Sequence, residues 1–305
     1  MTRIDNAARR GMWSIAGAGT LWGTTGVATR ALYALSSTNA LSLAFLRLVI
    51  AALIFLLLCW RLLGRRMWRM KGRDALLMLL MGGMQAVFQY CYLAAIPACG
   101  VTIATLIALC VAPVIVVLCA ALFLRERPSR KVLLALLCAP GGTILLTGAP
   151  AGSQAFSNLP LGVLLSLASA TGYAGVILSG RALSNRYHPL QINSVSFASG
   201  ALILLLGALS TRLVLVYPAQ SWLLIVYLGC VPTALAYTLF QAGMRTTPAT
   251  LTSILTLCEP LTAAVLAWVL FGERLGPLGI LGALLLFATI LLLARGEPAP
   301  AQTGT

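Results

Sequence analysis

The chain has 305 residues, of which 60% are hydrophobic and only 9% charged, with a mean hydropathy of +0.97. An ordinary soluble domain carries about 25% charged residues, so that class is excluded, and the net charge of +15 has to be explained at a membrane rather than on nucleic acid. Spanning the hydrocarbon takes roughly 20 apolar residues per helix. Ten segments fit: about 12–31, 40–63, 74–94, 99–123, 131–148, 159–180, 189–212, 219–242, 248–271 and 277–294. The connections are too short for a soluble domain. The expected fold class is an all-α integral membrane protein with ten transmembrane helices.

Segment 1 follows Arg9 and Arg10; it is too long for a signal peptide, lacks a convincing small-residue cleavage site, and reads as a retained helix. Gly19 and Gly23 form a GxxxG pair that permits close helix packing. Trp22 lies at the same depth, as a packed aromatic or as part of a cavity wall. Arg47 in segment 2 sits about eight residues, or roughly 12 Å, from the outer end. Such a depth calls for a partner inside the bundle. In segment 3, Gln85, Phe88, Gln89 and Tyr92 share one helical face. Lipid cannot satisfy amides, so this stripe reads as the wall of a hydrated cavity rather than as a set of interhelical hydrogen bonds. Thr102, Thr105 and Leu109 of segment 4 share a face ahead of Pro113, and Pro140-Gly141-Gly142 marks a backbone irregularity in segment 5.

Residues 148–160 are uncharged and rich in Gly, Ser and Pro, a linker composition. Segment 6 aligns Ser166, Ser169 and Tyr173. The single histidine, His188, precedes Pro189 and reads as a loop residue. Segment 8 carries Pro232, Tyr237 and Gln241, and segment 9 places Thr252, Thr256 and Glu259 on one face. Glu259 is followed directly by Pro260, a charge and a helix breaker near mid-membrane. Glu259 is the one other charge at the depth of Arg47. The two either pair with each other or meet a substrate or a coupling proton.

Of the 21 Lys and Arg residues, 17 fall at the amino terminus, in alternate connections, or just after segment 10. That bias places both termini in the cytoplasm. Eight cysteines, mostly within apolar segments and without metal-ligand spacing, read as packing residues. No metal or cofactor is expected.

The chain also repeats itself. Sliding residues 90–127 by 147 positions gives eight identities in 38, among them Tyr90/Tyr237, Thr105/Thr252, Pro113/Pro260, Glu126/Glu273 and Arg127/Arg274. Arg30-Ala31-Leu32 matches Arg181-Ala182-Leu183, which sets Trp22 over Tyr173. Five segments per half is an odd number, so the second half enters the membrane the opposite way round. Two five-helix inverted-topology repeats result, at 1–148 and 159–295, with a linker at 149–158 and a disordered tail at 296–305. Such repeats are a signature of secondary transporters, with substrate bound near the midplane between them. Pro113 and Pro260 are read as the helix irregularities that gate this zone.

Leu21-Trp22-Gly23, Phe45-Leu46-Arg47 with Ala51-Ala52, and the two signatures Pro113…Glu126-Arg127 and Pro260…Glu273-Arg274 resemble the drug/metabolite transporter superfamily, in its ten-helix EamA-type members. The resemblance implies export of small metabolites or amino acids across the bacterial inner membrane. The bulky aromatics and amides are similar to those expected of aromatic amino acid exporters (YddG-like). The substrate-binding set is then Trp22, Arg47, Gln85, Phe88, Gln89, Tyr92, Thr105, Tyr173, Tyr237 and Glu259. An aromatic solute stacks on such rings. Glu259, matched by Ala112 in the first half, is the candidate for proton coupling. A nucleotide-sugar or organophosphate exchanger would need several midplane cations and finds only Arg47. An intramembrane enzyme lacks its groups, since one histidine is present and the only aspartates, Asp5 and Asp74, are placed outside the bilayer. No Walker motif is present to couple ATP.

Overall fold

A computed structural model describes residues 3–123, 129–147, 157–208, 213–271 and 276–294. The linker core at 149–156, the tail at 296–305 and both Glu-Arg pairs lie outside the described residues. Among the described residues, ten helical spans follow one another. They are α1 (Arg3–Leu35), α2 (Ala40–Leu63), α3 (Gly72–Gly100), α4 (Ile103–Phe123), α5 (Arg130–Thr147), α6 (Leu159–Ser184), α7 (Pro189–Gly207), α8 (Ala219–Gly243), the divided span α9a (Ala249–Leu255) with α9b (Cys258–Phe271), and α10 (Pro277–Ala294). Among the described residues, seven spans are long and apolar enough to cross a membrane, and α5 and α10 contribute shorter apolar stretches. Span α1 is richer in Gly, Ala and Thr, the residues that let it approach α8 and α9b closely.

The packing is symmetric on exchange of halves. Helix α2 packs on α7 and α5 on α10, each meeting its own counterpart. Helix α1 packs on α8 and α9b, while α6 packs on α3 and α4. Glycines mark the same contacts in both halves. A Cβ on Gly82 of α3 would strike Ser199 and the Ser196 carbonyl of α7, and one on Gly229 of α8 would come within 2.5 Å of Ile50 of α2. Gly11 of α1 is pressed against Thr246, as Gly162 of α6 is against Cys99 at 2.4 Å. These are repeat-related positions, 147 apart for Gly82/Gly229 and Cys99/Thr246. The inverted repeat is therefore written into the helix contacts.

Connections that the charge pattern groups together do share a face. Asp74 accepts from Arg186 Nη1 at 3.0 Å and from the Tyr187 hydroxyl at 2.8 Å, and Gln191 Nε2 donates to the Met67 carbonyl at 2.8 Å. Arg181 Nη1 donates to the Met244 carbonyl at 2.5 Å. On the opposite face, Thr38 and Tyr217 hydroxyls lie 2.7 Å apart and Ser157 Oγ donates to the Pro97 carbonyl at 2.8 Å. His188 does more than sit in a loop. Its Nδ1 caps α7 by accepting from Leu190 N at 3.3 Å, and burial and the nearby Arg245 hold the imidazole below its ordinary value. Asn158, read as linker, caps α6 by accepting from Leu161 N at 3.1 Å. All eight cysteines are free.

Two expected irregularities move. Pro113 and Pro140 lie inside helices that continue through them. Proline already holds a helical φ and forfeits one backbone hydrogen bond, a loss these helices absorb. The break in the first half is at Gly100, with φ 81° and ψ 157°, a region open essentially to glycine alone. The Pro140-Gly141-Gly142 run serves contact instead, since Gly142 packs on Gly282 and Leu286 of α10. Gly100→Ala should therefore cost about 1–3 kcal/mol. Thermal unfolding in detergent should show a lowered midpoint for it, and little change for Gly72→Ala, where an added Cβ meets nothing within 4 Å.

Candidate functional site

One cavity is walled by both halves. Its lining is Trp22 and Thr25 from α1, Arg47 from α2, Phe88, Gln89 and Tyr92 from α3, Thr105, Ala108 and Leu109 from α4, Tyr173 from α6, Tyr237 from α8 and Glu259 from α9b. The centre of a water molecule can range over about 50 Å³ there, enough for a few waters. Nine of the ten residues expected to bind substrate border this space.

The tenth, Gln85, does not. It lies one helical turn toward the basic face, 1% exposed, and its Nε2 donates to the Tyr237 hydroxyl at 2.8 Å. Gln85 positions a wall residue instead of forming the wall. Tyr92 is tied across the α3–α4 break by a 2.8 Å hydrogen bond with Thr105 Oγ1. The Gln89 amide meets no hydrogen-bond partner among the described residues and faces the cavity. Thr25 and Ala108 escaped the sequence reading. Each follows an expected residue, Trp22 and Thr105, by three positions, a same-face spacing that would have found them. The Thr102 side chain lies outside the described residues.

The rings form a connected set. Phe88 stacks on Tyr173 with centroids 4.9 Å apart, and Trp22 meets Tyr173 edge-on at 6.2 Å and Tyr237 in a tilted pair at 5.0 Å. Trp22 and Tyr173, set over each other by the repeat, are thus neighbours across it. Offset and edge-on pairs of this kind contribute about 0.5–1.5 kcal/mol each beyond area burial. Ser169 of α6 holds the α3 backbone beside them, with Oγ donating to the Phe88 carbonyl at 3.1 Å.

The two deep charges share this cavity but form no ion pair within 4.0 Å. A direct Arg47–Glu259 bridge is therefore not how Arg47 is held. Its Nε donates to Thr233 Oγ1 at 3.3 Å, and that hydroxyl in turn donates to the Leu228 carbonyl at 2.6 Å. Thr233 belongs to a π-helical turn, Cys230–Leu235, that interrupts α8 around Pro232. Wide turns of this type recur at functional positions in helices.

The sequence profile of the EamA-like transporter family matches residues 9–148 and 160–295. The chain belongs to the EamA-like transporter family. It is 30% identical over 280 residues to the uncharacterised transporter YwfM of Bacillus subtilis (strain 168), covering 90% of each chain. It is 30% identical to an uncharacterised transporter of Archaeoglobus fulgidus, over 84% of this chain and 87% of that one. The uncharacterised inner membrane transporter YicL of Salmonella typhimurium (strain LT2) is 29% identical, over 94% and 96% of the two chains. A solved crystal structure at 20% identity shares the fold, with a TM-score of 0.78 over 92% of this chain and 95% of that one. The protein is a multi-pass membrane transporter.

In this EamA-like transporter the ninth span is divided beside the charge. The helix ends at Leu255, turns at Thr256 and Leu257, and restarts at Cys258 with Glu259 and Pro260 in its first turn. Proline's missing N–H costs nothing there. The GxxxG pair of α1 seats this break. A Cβ on Gly19 would lie 3.1 Å from the Thr256 carbonyl, and one on Gly23 would lie 2.6 Å from the Glu259 carbonyl. Gly26, one turn on, meets nothing within 4 Å. Gly23→Ala is thus expected to force α1 off α9b and lower both melting temperature and transport rate. Gly26→Ala should match wild type in the same two assays, and equal behaviour of the two variants would show that this seat does not matter.

Proposed function

We propose that this transporter is a secondary exporter of small metabolites, foremost amino acids including aromatic ones, working without ATP hydrolysis by alternating access around the cavity between the repeats. The observation that carries the reading is the composition of that cavity. Five aromatic rings, one guanidinium and one carboxylate face the same space from both halves. Rings of this kind hold an aromatic or other apolar side chain by stacking and burial, and a polar remainder meets Arg47, Gln89 and Glu259. The cargo class is that of the YddG-like exporters. A nucleotide sugar or sugar phosphate, with two or more negative charges, would face a single arginine opposed by a glutamate. The molecule acts as a carrier, not as an enzyme.

We infer also that it resides in the bacterial inner membrane with both termini in the cytoplasm, since the basic connections share one face and such residues stay inside. Residues 1–148 and 159–295 act as the two repeats that move against each other. Glu259, whose carboxylate has no hydrogen bond or ion pair among the described residues, is the group that couples transport to protons.

Counterflow in proteoliposomes tests the cargo. Unlabelled aromatic amino acids inside the vesicles should drive entry of labelled phenylalanine, while phosphorylated solutes should not; the reverse result ends the amino-acid reading. Tyr92→Ala should raise the half-saturating phenylalanine concentration roughly tenfold, the equivalent of about 1.4 kcal/mol. An unchanged value would place the ring outside the binding wall. For coupling, Glu259→Gln should leave a residual exchange that no longer responds to an imposed pH gradient. A wild-type response in that variant removes Glu259 from proton transfer.

A further inference from the structure

We propose that the cavity grips its substrate as a zwitterion, with the Arg47 guanidinium on the substrate carboxylate and Glu259 on its ammonium group. This assignment rests on the reading of the protein as an amino acid carrier and adds which residue holds which end.

Arg47 is 5% exposed and fixed along one edge, because its Nε is engaged by Thr233 in the π-helical turn of α8. Its Nη1 and Nη2 groups have no protein partner among the described residues, and the residue borders the cavity. The terminal pair of a guanidinium is a two-pronged donor that fits a carboxylate. Glu259 offers the complement. Its carboxylate has no hydrogen bond or ion pair among the described residues, and it occupies the first turn of α9b, where the positive end of the helix dipole favours a negative group.

The two charges border one cavity yet stand beyond ion-pair distance. An uncompensated charge in a low-dielectric interior is costly, and removing one partner of a buried pair is strongly unfavourable. A solute that brings both signs, separated by a single carbon, compensates Arg47 and Glu259 in one binding step. A simple acid or a simple amine compensates one and leaves the other without a counter-charge. The unpartnered Gln89 amide supplies a further donor and acceptor, and the surrounding rings are left for the side chain.

The experiment measures competition against labelled phenylalanine by purified full-length protein. Three unlabelled probes are used: phenylalanine, N-acetylphenylalanine, which lacks the ammonium charge, and phenylalaninamide, which lacks the carboxylate. On wild type, each single-ended analogue should compete at least about tenfold more weakly than phenylalanine. In Glu259→Gln the penalty on N-acetylphenylalanine should largely vanish while that on phenylalaninamide persists. In Arg47→Gln the pattern should cross over. If either variant fails to purify as a folded species, Glu259→Asp or Arg47→Lys takes its place, with a weakened version of the same crossed pattern. Wild-type protein that accepts either analogue as well as phenylalanine overturns the assignment, as does a variant that erases both penalties or the wrong one. If no amino acid binds or drives counterflow, the carrier reading falls and this assignment with it. If amino acids work but the pattern does not cross, only the assignment falls.

Discussion

Hydrocarbon offers no hydrogen bonds, so every polar group this chain carries to mid-depth has to be met inside the bundle. That constraint explains where the helices are close, where they break and what lies between them. Gln85 is spent on Tyr237, Tyr92 on Thr105, Ser169 on the Phe88 carbonyl and Arg47 Nε on Thr233. Each of these bonds ties two helices or two halves of a bent one. Polar groups left over, on Gln89, Glu259 and the end of Arg47, border the same cavity. Under the carrier reading proposed above, a polar solute entering that cavity would meet all three of these groups at once.

Close approach of backbones is the second half of the same logic. Between helices in lipid, packing and polar contacts replace the hydrophobic drive of water. Gly19 and Gly23 bring α1 against the Thr256 and Glu259 carbonyls, so the divided span is braced at its weakest point. Gly82 and Gly229 do the equivalent service for α3 on α7 and α8 on α2. Small residues here decide which helices touch, and the rings and charges then follow from the register.

Much of this was legible in the residues themselves. Ten apolar stretches, the 147-residue echo and the Gln85–Tyr92 stripe are periodic signals, and periodicity survives without coordinates. The face of Tyr92, Phe88 and Gln89 was readable because amides and hydroxyls have one tolerable direction in a membrane. Local backbone was less readable. Pro113 and Pro260 look alike in sequence, yet α4 runs through one while the ninth span divides just before the other. The second-half break lies against Gly19 and Gly23 of α1, whose close approach to the Thr256 and Glu259 carbonyls the prolines do not reveal. Opposite charges at matched depth invited a direct Arg47–Glu259 pair. Nothing in the sequence announces that Thr233, through a widened turn, takes the arginine first. Gln85 was misplaced by one turn for a similar reason, since a shared face does not say how far along the helix the open space extends.

The asymmetry at one position has a consequence for direction. Glu259 has no counterpart in the first half, where Ala112 is fully buried at the equivalent site. Two identical inverted halves would give inward-open and outward-open forms related by symmetry, and hence of equal energy. Alternation in such a machine exchanges the roles of the halves. In the alternating-access cycle proposed above, a carboxylate carried by only one half would lift that degeneracy wherever its surroundings differ between the two forms. A ligand shifts a two-state equilibrium only by its differential affinity for the states. Under the alternating-access reading proposed above, a one-sided acidic group would bias resting population and loading affinity between the two sides of the membrane, a molecular polarity in a scaffold whose halves are related by a pseudo-two-fold axis in the membrane plane.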